Sequence, residues 1–175
     1  MANGPTIRPA EETDLPSLLT IYNDVILSTT AVFSYQPHTM AMREEWFAAK
    51  RSAGHPVLVA EADGGILGFA ALGPFRAWPA YKYSLENSIY VTPAARGRGV
   101  GSRLLSALLD EARRLQVHTV IASIEASNSA SLALHARHGF SEVARFREVG
   151  YKFGRWLDLV FMQVLFDLPE HPVEE

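Results

Sequence analysis

The chain contains no cysteine, so disulfides, thiolate metal sites and a cysteine nucleophile are excluded. No apolar run approaches the roughly 18–20 residues of a membrane-spanning helix, and no membrane partner is expected. Basic charge is not in surplus: 16 Lys and Arg against 19 Asp and Glu leave a formal net charge of −3. Nucleic-acid binders carry a basic footprint, so no nucleic acid is expected either. Met1-Ala2-Asn3-Gly4-Pro5 lacks the basic segment and apolar core of a secretory signal, which points to a cytoplasmic protein. Internal repeats, low-complexity segments and the Gly-Lys-Ser/Thr of a Walker loop are also missing. What remains is 175 residues of ordinary globular composition, 48% of them hydrophobic. That is enough for one domain with a full core. Residues 1–168 are expected to form it, with 169–175 as a flexible C-terminal tail.

Thr6-Ile7-Arg8 predicts a short edge strand. Asp14 stands where it can cap a helix with Pro16 in the first turn, and Leu15, Leu18, Leu19, Tyr22, Val25 and Ile26 follow at helical spacing. Residues 28–35 read as an aromatic-rich loop. Thr39 can cap a second helix to about Ser52, with Trp46 and Phe47 as its apolar contacts. Residues 56–62 and 66–72 predict two strands joined at Asp63-Gly64-Gly65, a hairpin turn. Residues 73–82 carry two prolines, three aromatics and two cations, the composition of a pocket wall. Farther on, residues 117–124 read as a buried strand, and Asn128 can cap a helix over 129–138 closed by Gly139. Residues 140–149 and 156–166 are the last strands, separated by Gly150 to Gly154. The order β-α-α-β-β-β-α-β-α-β-β predicts an α/β fold with one mixed sheet and helices on both faces.

Chemistry concentrates between Ser84 and Ser102. Leu85, Ile89, Tyr90 and Val91 supply a strand that Pro93 ends. Glycines alternate at 97, 99 and 101, between Arg96 and Arg98, and an amphipathic helix follows with Leu104, Leu105, Leu108, Leu109, Ala112 and Leu115 on one side. Strand, glycine turn and helix make an anion site, where free N–H groups meet the positive end of the helix dipole. A Rossmann fingerprint would need glycine where Ser102 stands, although Glu125 mimics its ribose acid. A purely connecting turn would not need three alternating glycines flanked by arginines.

Arg-Gly-Arg-Gly-Val-Gly after Ile-Tyr-Val-Thr-Pro resembles the acyl-CoA signature of the GNAT superfamily of N-acetyltransferases. The segment from Asn128 to Phe140 is similar to a second block of that family. The resemblance covers essentially the whole chain and implies a single-domain GNAT fold, with acetyl-CoA as co-substrate and no metal. It implies cofactor contacts from Ile89, Tyr90, Val91, Arg96, Gly97, Arg98, Gly99, Val100, Gly101, Ser102 and Asn128. His135 departs from it, standing where many members place a tyrosine acid.

Five further segments (21–23, 29–33, 84–88, 134–135 and 150–158) together resemble the phosphinothricin and methionine sulfoximine acetyltransferases. That branch implies direct transfer, in a ternary complex, to the α-amine of a glutamate-like amino acid. Such an amine, with a pKa of about 8, is mostly protonated at neutral pH and needs a proton acceptor. Glu86 is the candidate base, with His135 assisting; which is principal stays open, as does the bland reading of each as an ordinary polar side chain. A metal pair of His135 and His138 would lack a visible third ligand. Phe33, Arg76, Trp78, Tyr81, Asn87 and Ser88 are the expected substrate contacts, with Arg76 as a two-pronged carboxylate clamp. The Trp156 segment is expected to support a homodimer. Another amine (a peptide N-terminus, a polyamine or a drug) and a non-catalytic acyl-CoA-binding module are the alternatives.

Overall fold

The structure, a computed structural model, describes residues 4–174. Its elements are β1 (Thr6–Pro9), α1 (Leu15–Ser28), α2 (Met40–Ser52), β2 (Val57–Ala62), β3 (Gly65–Pro74), β4 (Ser84–Val91), α3 (Val100–Arg114), β5 (Thr119–Glu125), α4 (Ser129–Arg137), β6 (Ser141–Lys152) and β7 (Arg155–Leu165). Short 3-10 turns occupy Glu12–Asp14, Pro79–Tyr81 and Pro93–Ala95. The strands form one seven-stranded sheet in the order β1-β2-β3-β4-β5-β7-β6. β4 and β5 run parallel, while β1-β2, β2-β3, β5-β7 and β6-β7 are antiparallel. This is the α/β, mostly antiparallel sheet that the element order predicts. It also removes the Rossmann reading, which requires a doubly wound parallel sheet.

Two compact units share the chain: residues up to 71 with 89–108, and residues 72–88 with 109 onward. In the first, α1 and α2 set Leu15, Leu18, Ile21 and Phe47 on Val57, Val59, Phe69 and Ala71. The alternate residues Leu58, Ala60 and Ala70 are also buried, so β2 and β3 are covered on both faces. Thr39 caps α2 as expected, its Oγ1 accepting from Met42 N at 3.3 Å. The hairpin turn is Asp63-Gly64, with φ of +51° and +72°, and Ala62 faces Gly65 across it. Asp14 differs from its sequence reading. It stands before α1 without capping it, because its carboxylate accepts from Arg8 Nη1 and Nη2 at 2.8 and 2.9 Å and from Glu11 N at 2.8 Å. Arg8 holds that carboxyl below the usual range.

Arg43 is the largest surprise of this unit. It is 2% exposed, with its guanidinium 4.1 Å from the Tyr22 ring centroid and 4.6 Å from that of Trp46. Desolvated cation–π contacts of this kind are worth about 2 kcal/mol. Nη2 lies 3.3 Å from His38 Nδ1. Burial, and then the Arg43 charge, push His38 down, so its Nδ1 is a lone pair that accepts from the guanidinium.

In the second unit Val120, Ala122, Ile124, Leu157, Val160 and Met162 are buried on β5 and β7. The β6–β7 turn is tighter than the sequence suggests. Gly150 lies in β6 opposite Leu157, and only Phe153-Gly154, with φ of +49° and +74°, turn the chain. The surplus residues form an irregularity between Phe146 and Gly150, where Glu148 has a φ of +55° and its N–H donates to Asp158 Oδ1 at 2.9 Å. Val143, Phe146, Val149, Tyr151, Phe153 and Trp156 stay exposed along this hairpin. Beyond β7, Val173 exchanges hydrogen bonds with the Tyr83 hydroxyl at 3.1 and 3.2 Å.

Candidate functional site

In the first unit, β3 and the end of β4 approach closely at one point. A Cβ on Gly68 would stand 2.6 Å from Tyr90 O and 3.1 Å from Val91 Cα, so only glycine fits. Thr92 N donates to Leu67 O at 2.9 Å beside it. Tyr90 is held by Tyr22 and Phe69, at centroid distances of 5.2 and 5.1 Å. Ile89, Tyr90 and Val91 are therefore fixed by backbone and rings together.

After the Pro93–Ala95 turn, Gly97 and Gly99 have φ of +73° and +80°, and nothing lies within 4 Å of a Cβ built on either. Their glycine identity answers a backbone requirement, and the space above them is open. Arg103 N donates to Gly99 O at 3.1 Å, which starts the α3 ladder. The N–H groups of Val100 and Gly101 precede the first helical acceptor and have no intrahelical partner. Ser102 completes that first turn. Arg98 is exposed, while exposed Arg96 folds back, its Nε donating to Val91 O at 3.2 Å. An open, backbone-lined turn at the positive end of a 15-residue helix suits the pyrophosphate of acetyl-CoA.

The second unit holds Glu86, Asn87 and Ser88, the neighbouring residues of β4. Successive strand side chains point to opposite faces, and the contacts agree. Glu86, in register with Ile121 of β5, has Oε1 accepting from the Ser123 hydroxyl. Its Oε2 has no hydrogen-bond partner among the described residues. Asn87 instead meets α4: its Nδ2 lies 3.0 Å from His135 Nε2. His135 is 4% exposed and its Nδ1 is 2.8 Å from Ser131 O, so both ring nitrogens are engaged. Burial is the main cause that pushes His135 down, with His138 adding to it. The structure thus brings His135 to Asn87, whereas Glu86 is joined to Ser123.

Asn128 caps α4, its Oδ1 accepting from Ser131 N at 3.1 Å. This leaves its amide Nδ2 as the group that can meet a ligand. His138 Nδ1 is 2.9 Å from Leu134 O. Among the described residues no group of three His, Cys, Asp or Glu could hold a metal ion. Glu125 is buried at the end of β5, accepting from Ser127 N at 3.0 Å and Ser127 Oγ at 2.5 Å, with Arg155 Nη2 at 3.6 Å. It secures the turn into α4.

The expected pocket residues are less converged. Arg76 lies over the Phe75 ring at 4.0 Å and donates to Phe75 O at 2.7 Å. Tyr81 meets Phe75 at 5.7 Å, and Trp78 is 74% exposed. Phe33 is exposed on the segment between α1 and α2 in the first unit. That segment is pinned by Asn23, whose amide exchanges hydrogen bonds of 2.9 and 2.8 Å with the His38 backbone. Sequence reasoning missed Ser123, which carries no local signal. It also missed Arg43, although spacing places Arg43 beside Trp46 and Phe47 on α2.

Residues 18–140 match the acetyltransferase (GNAT) family. An L-methionine sulfoximine/L-methionine sulfone acetyltransferase of Salmonella typhimurium is 43% identical over 162 residues, 93% of this chain and 95% of that one. Among solved structures, a ribosomal-protein-alanine N-acetyltransferase from Brucella melitensis is 47% identical, with a TM-score of 0.90 over 92% of this chain and 99% of that one. A GNAT superfamily phosphinothricin acetyltransferase from Sinorhizobium meliloti, solved with acetyl-CoA, is 34% identical. It superposes with a TM-score of 0.93 over 97% of this chain and 93% of that one. The glycine turn, the strand before it and the helix after it are thus the acetyl-CoA half of an N-acetyltransferase, and the chain belongs to the GNAT acetyltransferase family.

Proposed function

We propose that this enzyme acetylates the α-amine of a small amino-acid-like substrate of the methionine sulfoximine or phosphinothricin type. The names of its relatives from Salmonella typhimurium and Sinorhizobium meliloti support that substrate class. The observation that carries the chemistry is the state of Glu86. One oxygen is held by Ser123, and the other has no partner among the described residues. A carboxylate so fixed can take a proton from the incoming ammonium, directly or through a water. His135 has no ring nitrogen to spare, so Glu86 is the principal base and His135 assists through Asn87.

Acetyl-CoA, when bound, supplies the acetyl group as an activated thioester. The backbone of Gly97 to Ser102 would hold its pyrophosphate, with Arg96, Arg98 and the Asn128 amide as side-chain contacts. A backbone N–H at Tyr90 or Val91, with Ile89 beside it, would donate to the thioester carbonyl oxygen. β4 runs without a break from Glu86 to Val91, so one strand carries the base and the carbonyl donor. Phe33, Arg76, Trp78, Tyr81, Asn87 and Ser88 would line the amine pocket, where Arg76 must turn from Phe75 to meet a carboxylate. The apolar side chains exposed along β6 and β7 support a homodimer through that hairpin. A cytoplasmic location fits a chain in which no described helix is long and apolar enough to cross a membrane.

A second reading has an observation of its own: the Brucella melitensis relative, 47% identical, is described as acting on ribosomal-protein alanine. An acceptor panel with CoA release as readout separates the two. Methionine sulfoximine, methionine sulfone and phosphinothricin should turn over, and alanine-terminated peptides should not. The reverse pattern overturns the substrate assignment.

A further inference from the structure

The His135–Asn87 contact has only one consistent assignment of hydrogens. Ser131 O is a carbonyl and can only accept, so the proton on His135 sits at Nδ1. His135 is 4% exposed, faces the Phe140 ring edge-on at 5.0 Å, and has His138 as its charged or titrating neighbour on α4. Those surroundings penalise an imidazolium. A neutral ring with a proton at Nδ1 presents a lone pair at Nε2, which must accept from a donor. At 3.0 Å, that donor is Asn87 Nδ2–H. Turning the amide over would set Oδ1 against the Nε2 lone pair, acceptor against acceptor. The imidazole therefore fixes which way a buried amide points, and Asn87 is itself only 8% exposed. Its Oδ1, on the opposite side, has no hydrogen-bond partner among the described residues.

We infer that His135 is a positioning residue: it fixes the Asn87 amide so that Asn87 Oδ1 is presented as a hydrogen-bond acceptor for an N–H of the acceptor amine. This rests on the amine-acetylating reading above and assigns each residue a role within it. A primary amine keeps an N–H for such an acceptor while Glu86 takes another proton. A substrate offering an oxygen at that position meets acceptor against acceptor and is refused. Asn87 thereby selects an amine over an alcohol of the same shape, and His135 selects the Asn87 orientation.

The first measurement needs no substrate and is independent of what the enzyme acetylates. Nitrogen NMR of the full chain with ¹⁵N-labelled histidine, the His135 signals identified by their loss in His135→Gln, should show a neutral ring protonated at Nδ1. That state should persist from pH 8 down to about pH 5.5, below the ordinary histidine range. An imidazolium at pH 7, or a proton at Nε2, overturns the assignment. The second measurement separates positioning from proton transfer. His135→Phe, which has no acceptor, should raise the amine KM about 5-fold, the worth of one neutral hydrogen bond, and leave acetyl-CoA affinity unchanged. His135→Gln, which offers an acceptor oxygen, should return KM to within about 2-fold of wild type by the same reasoning. Equal damage in both variants, with kcat down by the factor of about 100 or more expected of a lost general base, would make His135 a proton-transfer group and contradict the inference.

Discussion

The two halves of the active site are made of different material. The acetyl-CoA half is built from backbone: Gly97 and Gly99 with positive φ, the first turn of α3, and a strand end kept in place by Gly68. The amine half is built from side chains that hold one another: Ser123 on Glu86, and Ser131 and His135 on Asn87. A backbone site depends on conformation and tolerates any side chain the conformation allows. A side-chain site depends on partners and fails when one is removed. The first suits a co-substrate common to the family, and the second suits an acceptor that differs between members.

That contrast can be broken or sharpened experimentally. The largest effect should come from Glu86→Gln, which keeps the shape and removes the base. Turnover should fall about 100-fold or more, while acetyl-CoA affinity stays within about 2-fold. Gly99→Ala should do the opposite. A φ of +80° strains any Cβ-bearing residue by about 1–2 kcal/mol. Acetyl-CoA should then bind about 10-fold more weakly in calorimetry, with the amine KM nearly unchanged. Asn87→Ala removes the proposed acceptor and strands the His135 lone pair, so the amine KM should rise about 5- to 10-fold with the cofactor half untouched.

Smaller still is a pH effect on stability. Folding pushes His135 below its unfolded pKa, chiefly by burial, so the folded chain binds fewer protons there than the unfolded chain. Its contribution is full above the ordinary histidine range and declines as pH falls through and below it. Wild type should lose up to about 1.4 kcal/mol per pH unit more than His135→Gln between pH 6.5 and the folded pKa, read by denaturant titration. Equal losses would mean that His135 is not the buried neutral group described.

The same contrast explains what the sequence discloses. Gly97, Gly99 and the caps Thr39 and Asn128 are legible because a backbone requirement selects the residue at its own position. The element order is legible for the same local reason. Ser123 is not, because its partner Glu86 is 37 residues away and nothing in Ala-Ser-Ile announces it. His135 is visible as a departure from the family's tyrosine, but its role depends on Asn87, 48 residues earlier. Asp14 looks like a helix cap until Arg8 claims its carboxylate. Arg43 would pass as a solvated cation on α2, yet its position on the Trp46 and Phe47 side buries it under Tyr22. Gly150 signals a turn, but Phe153-Gly154 make the turn and Gly150 stays in the ladder.

The most direct test of the division into a backbone half and a side-chain half is acetyl-CoA titration by calorimetry into Glu86→Gln and Gly99→Ala in parallel. Glu86→Gln should bind as wild type does, and Gly99→Ala should bind about 10-fold more weakly. Weakened binding in Glu86→Gln, or unchanged binding in Gly99→Ala, would contradict the account.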